Sequence, residues 1–389
     1  MGVRKKLLLI GPLPPPLAGP EMVTLTFTES EMLREKYVIT HINTTVRQSN
    51  DVKGKLDIVM ILAFVSYLYR LIYQLIITRP DYILYCPTSA TLKGWVRDGM
   101  TLLIGGFSRA RIFMLFQGGH FRYFHDSLGK RPRGIIRWLL NRAHRVLVQA
   151  DILKFQFEGI VPDAKIATLH NFIGDKFYAS FDNVNRERET PEVNILFIGH
   201  LSFAKGYCDL LKTVPVLSRK HDVKFMIMGA RTGVERNVFY NQVTGERITP
   251  EQPDDVYREY IVGQGLEDSV VFLGDKVFGE DKLRIFRDAD IFVLPSYSES
   301  FSMSLLEAMA AGLPVVVTGV GAVPEIIDDG TIGYIIQPSD TGMLADRLES
   351  LISDAALRLE MGRKSRDLCR ERFLDNAGSR NLVTLLENQ

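Results

Sequence analysis

Ile291-Phe292-Val293-Leu294-Pro295-Ser296-Tyr297-Ser298-Glu299-Ser300-Phe301-Ser302-Met303-Ser304-Leu305-Leu306-Glu307-Ala308-Met309-Ala310-Ala311-Gly312 reads as an apolar strand, a polar turn and a short helix stopped by Gly312 and Pro314. The turn lies at the carboxyl end of the strand and the amino end of the helix, where free backbone N–H groups and the helix dipole favour an anion. Glu299 in the turn and Glu307 inside the helix form a carboxylate pair with no paired cation in the stretch. Carboxylates accept hydrogen bonds from sugar hydroxyls. The combination implies a nucleotide-sugar site, with Glu307 on the adjacent hydroxyls of a ribose, Glu299 on those of a hexose and the diphosphate between them.

Outward from this stretch, short apolar runs alternate with helical patterns along all 389 residues, a length that accommodates two domains. Residues 7–10, 37–42, 82–86, 112–116, 146–149 and 166–169 are one set of expected strands; 194–198, 224–228, 270–273, 291–294, 315–318 and 334–336 are a second. Strands alternating with helices argue for parallel sheets flanked by helices. Two such sets argue for an α/β protein of two Rossmann-like domains facing each other across a cleft. The polar segment 182–192 has linker composition, which places the domains at 1–185 and 191–372.

A net charge of +1 offers no general attraction to nucleic acid, so no nucleic-acid partner is expected. Cys86, Cys208 and Cys369 are few and widely spaced, which suggests a reducing compartment and no metal cluster. The basic start and the run 7–10 are too short for a signal peptide before Gly11-Pro12 and read as a first strand. Lys6 stands where an N-myristoylation motif after Gly2 needs Ser or Thr.

Several loops at strand ends carry chemistry. The proline-rich loop 11–20 enters a helix whose first residue is expected at Pro20, and Gly19 lets the backbone approach a ligand. Gln117 and His120 follow the fourth strand. In Gly199-His200-Leu201-Ser202-Phe203-Ala204-Lys205-Gly206, a lysine just before a helix can reach an anion on that helix end. Asp288-Ala289-Asp290 has a metal-binding spacing, but it precedes a strand and so lies at the wrong end of the sheet. Gly319-Val320-Gly321-Ala322-Val323-Pro324 lacks the third glycine of a dinucleotide fingerprint, which removes the motive for a nicotinamide-dependent oxidoreductase. Residues 231–254 read as a polar insertion that reaches over the nucleotide or holds a partner.

The spacing Glu299, seven residues, Glu307, followed by Ala308-Met309-Ala310-Ala311-Gly312-Leu313-Pro314-Val315, resembles the signature of glycosyltransferase family 4. That family comprises retaining, nucleotide-sugar-dependent enzymes of the GT-B fold, and the resemblance covers nearly the whole chain. It implies that Glu299, Lys205 and His120 take part in catalysis. It further implies that Gly19, Gln117, Gly199, His200, Lys205, Ser300, Phe301, Ser302, Glu307 and Glu325 bind substrate. Three positions depart from the family. Ala18 replaces a glycine, Gln117 replaces the usual histidine with His120 three residues on, and His200 replaces an arginine on the diphosphate. His170-Asn171 resembles the turn that ends the first domain, where a structural and a ligand role for Asn171 both fit. The segment 373–389 resembles the family's final segment, which crosses back onto the first domain.

The resulting expectation is a metal-independent, cofactor-free retaining transferase moving a hexosyl unit from a UDP- or GDP-sugar to a hydroxyl acceptor. The rival is a nucleotide-sugar-binding scaffold on the same fold with a weakened site, motivated by Ala18, Gln117 and His200. Residues 58–77 bear on the acceptor. Only Ser66, Arg70 and Gln74 interrupt the apolar run, four apart on one helical face. A bilayer-spanning helix there would sever the strands on either side, so the excess apolar surface meets a neighbouring domain, a partner or a membrane surface. Residues 127–150 carry six basic side chains and no acid. They are either a solvated basic helix or a contact for anionic lipid. The membrane version implies a cytoplasmic protein, peripheral at the inner face, with a glycan or lipid-linked acceptor.

Overall fold

The run Leu7-Leu8-Leu9-Ile10 is unbroken in apolar residues because it is covered on both faces. β1 (Lys5–Gly11) is buried from Leu7 onward and pairs in parallel with both β2 (Tyr37–Asn43) and β3 (Tyr82–Tyr85). The computed structural model describes residues 4–15, 19–45, 58–87, 91–184, 191–231, 239–240, 247–275 and 277–388. Gly2, the loop tip 16–18, the linker centre 185–190 and, in the 231–254 insertion, 232–238 and 241–246 lie outside the described residues.

The first sheet continues through β4 (Arg111–Leu115), β5 (Arg145–Val148) and β6 (Ile166–Thr168), in the order β2-β1-β3-β4-β5-β6 and parallel throughout. Its connections are α1 (Gly19–Glu29) with α2 (Glu31–Lys36), then α3 (Ile58–Thr78), α4 (Leu92–Gly106), and α5 (Phe121–Ser127) with α6 (Lys130–Leu140). The second unit begins with α7 (Asp175–Ala179), followed by β7 (Val193–Ile198), α8 (Tyr207–Ser218) and β8 (Val223–Met228). A small antiparallel hairpin, β9 (Phe239–Tyr240) and β10 (Arg247–Ile248), lies within the expected insertion. Then come α9 (Pro253–Tyr260), β11 (Val270–Gly274), α10 (Gly279–Asp288), β12 (Ile291–Leu294), α11 (Met303–Ala310) and β13 (Val315–Thr318). The unit closes with α12 (Val323–Ile326), β14 (Gly333–Ile336), α13 (Thr341–Ser353) and α14 (Ala355–Arg372), and α15 (Asp375–Glu387) ends the chain. Its sheet is also parallel, in the order β11-β8-β7-β12-β13-β14. The strands of the two six-stranded sheets are the two sets of six read from the sequence.

The chain divides into Met1–Gly174 with Asp375–Gln389, and Asp175–Leu374. The division falls before the polar seam because α7 is held by the second unit. Phe177 and Phe181 pack edge-on to Phe286, and the Arg366 guanidinium lies 3.9 Å from the Tyr178 ring centre. α15 joins the first unit, where Ser379 and Ser30 share a hydroxyl hydrogen bond of 2.8 Å and Tyr37 donates to Glu387 at 3.1 Å.

One buried acid in the first unit makes stability depend on pH. Asp98 of α4 is fully buried, accepts the Tyr85 hydroxyl, and lies 3.5 Å from Arg97, while its Oδ2 has no partner. Burial outweighs Arg97 and Tyr85 and raises its pKa to about 6. The native state therefore keeps a proton that the unfolded chain releases near pH 4. This disfavours folding progressively between pH 4 and 6 and fully above it, by on the order of 3 kcal/mol. Asp98→Asn should abolish that dependence, so the wild-type minus variant difference in unfolding free energy should fall as pH rises from 4 to 7. A flat difference across that range rejects the assignment. The cysteines are likewise enclosed: all three are free and buried, and burial pushes the Cys86 and Cys369 thiols up to about 12. None should react with a thiol reagent at pH 8 until the protein is unfolded, when three should.

Candidate active site in the second unit

In the second sheet the chain runs outward from β7 to β8 and β11, then returns to β12 and proceeds the other way to β14. In open parallel sheets the crevice beyond the carboxyl ends at such a reversal is where ligands seat. Gly199 and His200 leave β7 at that point, and 295–301 leave β12 beside them.

The loops around the crevice are bound to one another. Gly206 has φ +70°, and a Cβ there would lie 1.9 Å from the Pro295 carbonyl oxygen, so glycine lets the loop after β7 lie against the loop after β12. Gly321, at φ +58°, does the same for the loop after β13, where a Cβ would fall 2.4 Å from the Glu299 carbonyl oxygen. Nearby, the Ala322 N–H donates to the Ser300 carbonyl at 2.8 Å. The Tyr297 N–H donates to Ala204 at 3.0 Å, its ring stacks on Phe203 at 4.7 Å, and its hydroxyl donates to Asp209 at 2.7 Å. Burial raises the pKa of both Asp209 and Tyr297, which keeps the phenol a donor.

This frame directs Lys205 onto Glu299. Lys205 Nζ lies 2.5 Å from Glu299 Oε1, which also accepts from Ser296 Oγ at 3.2 Å. Glu307 is buried in α11, and Lys282 of α10 reaches it with Nζ 2.5 Å from Oε1. Each carboxylate thus has its own lysine, which corrects the expectation of a carboxylate pair without a cation. The cations come from 94 and 25 residues away, so the stretch read alone does not contain them. A carboxylate as buried as Glu307 requires a partner of this kind. Lys282 is the residue the sequence reading missed, although a signal existed. It precedes Ile285 and Phe286, the buried residues of α10, by three and four positions, so helical periodicity puts a lysine on the inward face.

The remaining expected residues of the second unit gather at the same end of the sheet. The Gly199 N–H donates to Met228 at 3.1 Å, and His200, half-buried, accepts through its carbonyl from the Ser202 N–H at 2.8 Å. Ser302 caps α11, its Oγ accepting from the Leu305 N–H at 3.3 Å, and Ser304 Oγ donates to the Ile198 carbonyl at 3.2 Å. Phe301 is buried edge-on to Phe373, with ring centres 5.9 Å apart. What Phe301 offers a ligand is therefore main chain. Ser300 and Glu325 are half-buried around the Gly321 turn.

Gly19, Gln117 and His120 belong to the first unit, at the carboxyl ends of β1 and β4. Gly19 opens α1 one residue before the expected Pro20 and has open space where a Cβ would stand. The Gln117 amide faces the Cys86 thiol, and His120 is exposed at the start of α5 with its ring 6.3 Å from that of Tyr123. Asn171 is buried and accepts from Gln149 at 2.7 Å, joining the ends of β5 and β6. Asp290 sits at the amino end of β12, where its carboxylate accepts the Asn194 N–H at 2.8 Å. Among the described residues no group of three or more His, Cys, Asp or Glu is arranged to hold a metal ion.

The model of the family "Glycosyl transferases group 1" matches residues 180–368. The match falls within the second unit. The chain is 27% identical over 253 residues to N-acetyl-alpha-D-glucosaminyl L-malate synthase of Bacillus anthracis, covering 63% of this chain and 60% of that protein. It is 31% identical over 197 residues to D-inositol 3-phosphate glycosyltransferase of Corynebacterium kroppenstedtii, covering 50% and 40%. These alignments thus span only part of each relative. Among solved structures, a glycosyltransferase from Rickettsia africae superposes with a TM-score of 0.71 at 14% identity, over 99% of this chain and 98% of that one. Anabaena HepE in complex with UDP and glucose superposes with a TM-score of 0.70 at 15% identity, over 99% and 100%. At these identities the likeness shows the fold alone, that of GT-B proteins.

Proposed function

We propose that the chain is a retaining, metal-independent glycosyltransferase that moves a hexosyl unit from a UDP- or GDP-sugar to a hydroxyl acceptor in cell-surface polysaccharide or glycolipid assembly. The observation that carries this reading is the meeting of Lys205 and Glu299 at the strand-order reversal, with the Lys282–Glu307 pair beside it. An ammonium has three donors, and Glu299 takes one of those on Lys205. The others meet the diphosphate, whose negative charge grows as the sugar leaves. The amino end of α11 and His200, when protonated, add to that stabilisation. Glu299 orients the hexose and offsets positive charge at its anomeric carbon. Glu307, its Oε1 held by Lys282, gives its other oxygen to the ribose hydroxyls. The family resemblance assigns a polar contact to the sugar to either Gln117 or His120, and a place near the phosphates to Gly19. The departing phosphate accepts the acceptor's proton, so the scheme needs no protein nucleophile.

Anabaena HepE has been seen with UDP, which makes UDP the first nucleotide to test here. Calorimetric titration with UDP and GDP, with NAD as control and EDTA throughout, should show one nucleoside diphosphate binding and the binding lost in Glu307→Ala. A folded protein that binds neither would overturn the reading. Binding without donor hydrolysis or transfer would favour a nucleotide-sugar-binding scaffold instead.

A further inference from the structure

Helix α3 is built inside out. Leu62, Val65, Tyr69, Ile72, Tyr73 and Ile76 are all exposed, between 44 and 69%. At 3.6 residues per turn they fall within about 100° of one another on one face. Ser66 and Arg70 are exposed along one edge of this stripe, and the polar groups beyond them turn inward. Tyr67 is buried with its hydroxyl 2.6 Å from Thr101 Oγ1 of α4, and Gln74 is half-buried. Ile61–Thr78 is apolar and long enough to cross a bilayer, yet only 11% of it is buried. Crossing is barred by topology, since the strands at its two ends, β2 and β3, both pair with β1 in one sheet. The helix lies along that sheet.

The surface around it supplies the charge. α4 packs between α3 and α6, and it adds exposed Leu92 and Val96. On α6, Ile135 and Trp138 are exposed, with the Arg142 guanidinium 3.8 Å from the Trp138 ring centre. Lys130, Arg131 and Arg137 are exposed beside them. Asp98, buried, is the one acidic residue in the three helices. An apolar stripe flanked by cations, with no exposed carboxylate on these three helices, matches an anionic bilayer surface: apolar side chains enter the acyl boundary, Trp138 sits at headgroup level, and the arginines meet lipid phosphates.

We infer that the α3–α4–α6 face of the first unit docks flat on an anionic membrane, with α3 lying in the interface plane. The test is co-sedimentation of the full chain with vesicles of phosphatidylcholine, alone or with about 30% phosphatidylglycerol, at about 0.1 M salt. Binding to the mixed vesicles should exceed binding to phosphatidylcholine by about tenfold or more and weaken with salt. Leu62→Gln/Tyr69→Gln/Ile76→Gln changes only exposed side chains, so the fold should persist while vesicle binding drops about tenfold or more. Arg131→Gln/Arg137→Gln should remove the preference for the anionic vesicles and leave the residual apolar binding. No binding to either vesicle, or a triple variant that binds like wild type, overturns the proposal. So does sedimentation showing a dimer that the triple variant dissociates while vesicles are ignored, because the stripe then belongs to a second copy of the chain.

Discussion

Lys205→Ala is expected to lower kcat by about 10²- to 10³-fold while the donor KM changes little, the loss typical of removing one donor aimed at charge that develops in the transition state. The geometry offers a competing explanation, because Lys205 also neutralises Glu299, whose side chain is nearly enclosed. Removing the lysine alone leaves a carboxylate with the Ser296 hydroxyl as its remaining support in this pair of contacts. The double variant Lys205→Ala/Glu299→Gln separates the two roles. If the lysine serves only to quiet Glu299, the double variant regains the activity of Glu299→Gln alone. If it stabilises the leaving diphosphate, the double variant stays at least as slow as Lys205→Ala. Donor hydrolysis measured without acceptor is the cleaner readout, since it does not depend on knowing the acceptor. A Lys205→Ala protein that is folded, binds the nucleoside diphosphate and turns over within threefold of wild type would remove the lysine from the mechanism.

The architecture was legible because the strands are hydrophobic on both faces. A parallel strand between two helical layers must be apolar at every position, so runs such as 291–294 and 315–318 stand out against amphipathic helices. The site was legible where its chemistry is local: Glu299, Ser302 and Glu307 lie within nine residues of one another around one strand-to-helix turn. Pairings that close through space were not. Lys282 reaches Glu307 from the preceding helix and Lys205 reaches Glu299 from another strand end, and the stretch 296–312 carries no trace of either. The unit boundary was displaced for a related reason. The polar composition of 182–192 is that of a linker, whereas what assigns α7 to the second unit is the packing of Phe177 and Phe181 on Phe286. Helix α3 was read as too apolar for a crossover, and the structure turns that excess outward.

Lys282→Met should be the most destabilising of the site variants, by about 3 kcal/mol, because it leaves Glu307 buried and unpaired, and breaking such a pair from one side typically costs this much. Replacing both partners, Lys282→Met/Glu307→Met, should recover most of the loss, since two apolar side chains of similar volume restore packing without a stranded charge. Urea unfolding of the four proteins measures the coupling directly. Nucleotide affinity should follow a different order. Glu307→Met and the double variant should bind the nucleoside diphosphate at least about tenfold more weakly, the loss expected for hydrogen bonds to a charged acceptor. Restoring the fold would then fail to restore the ligand. If the double variant instead regains both stability and nucleotide affinity, Glu307 is a structural carboxylate and the ribose is held elsewhere. If Lys282→Met leaves stability unchanged but weakens nucleotide binding, the lysine acts on the ligand itself rather than through Glu307.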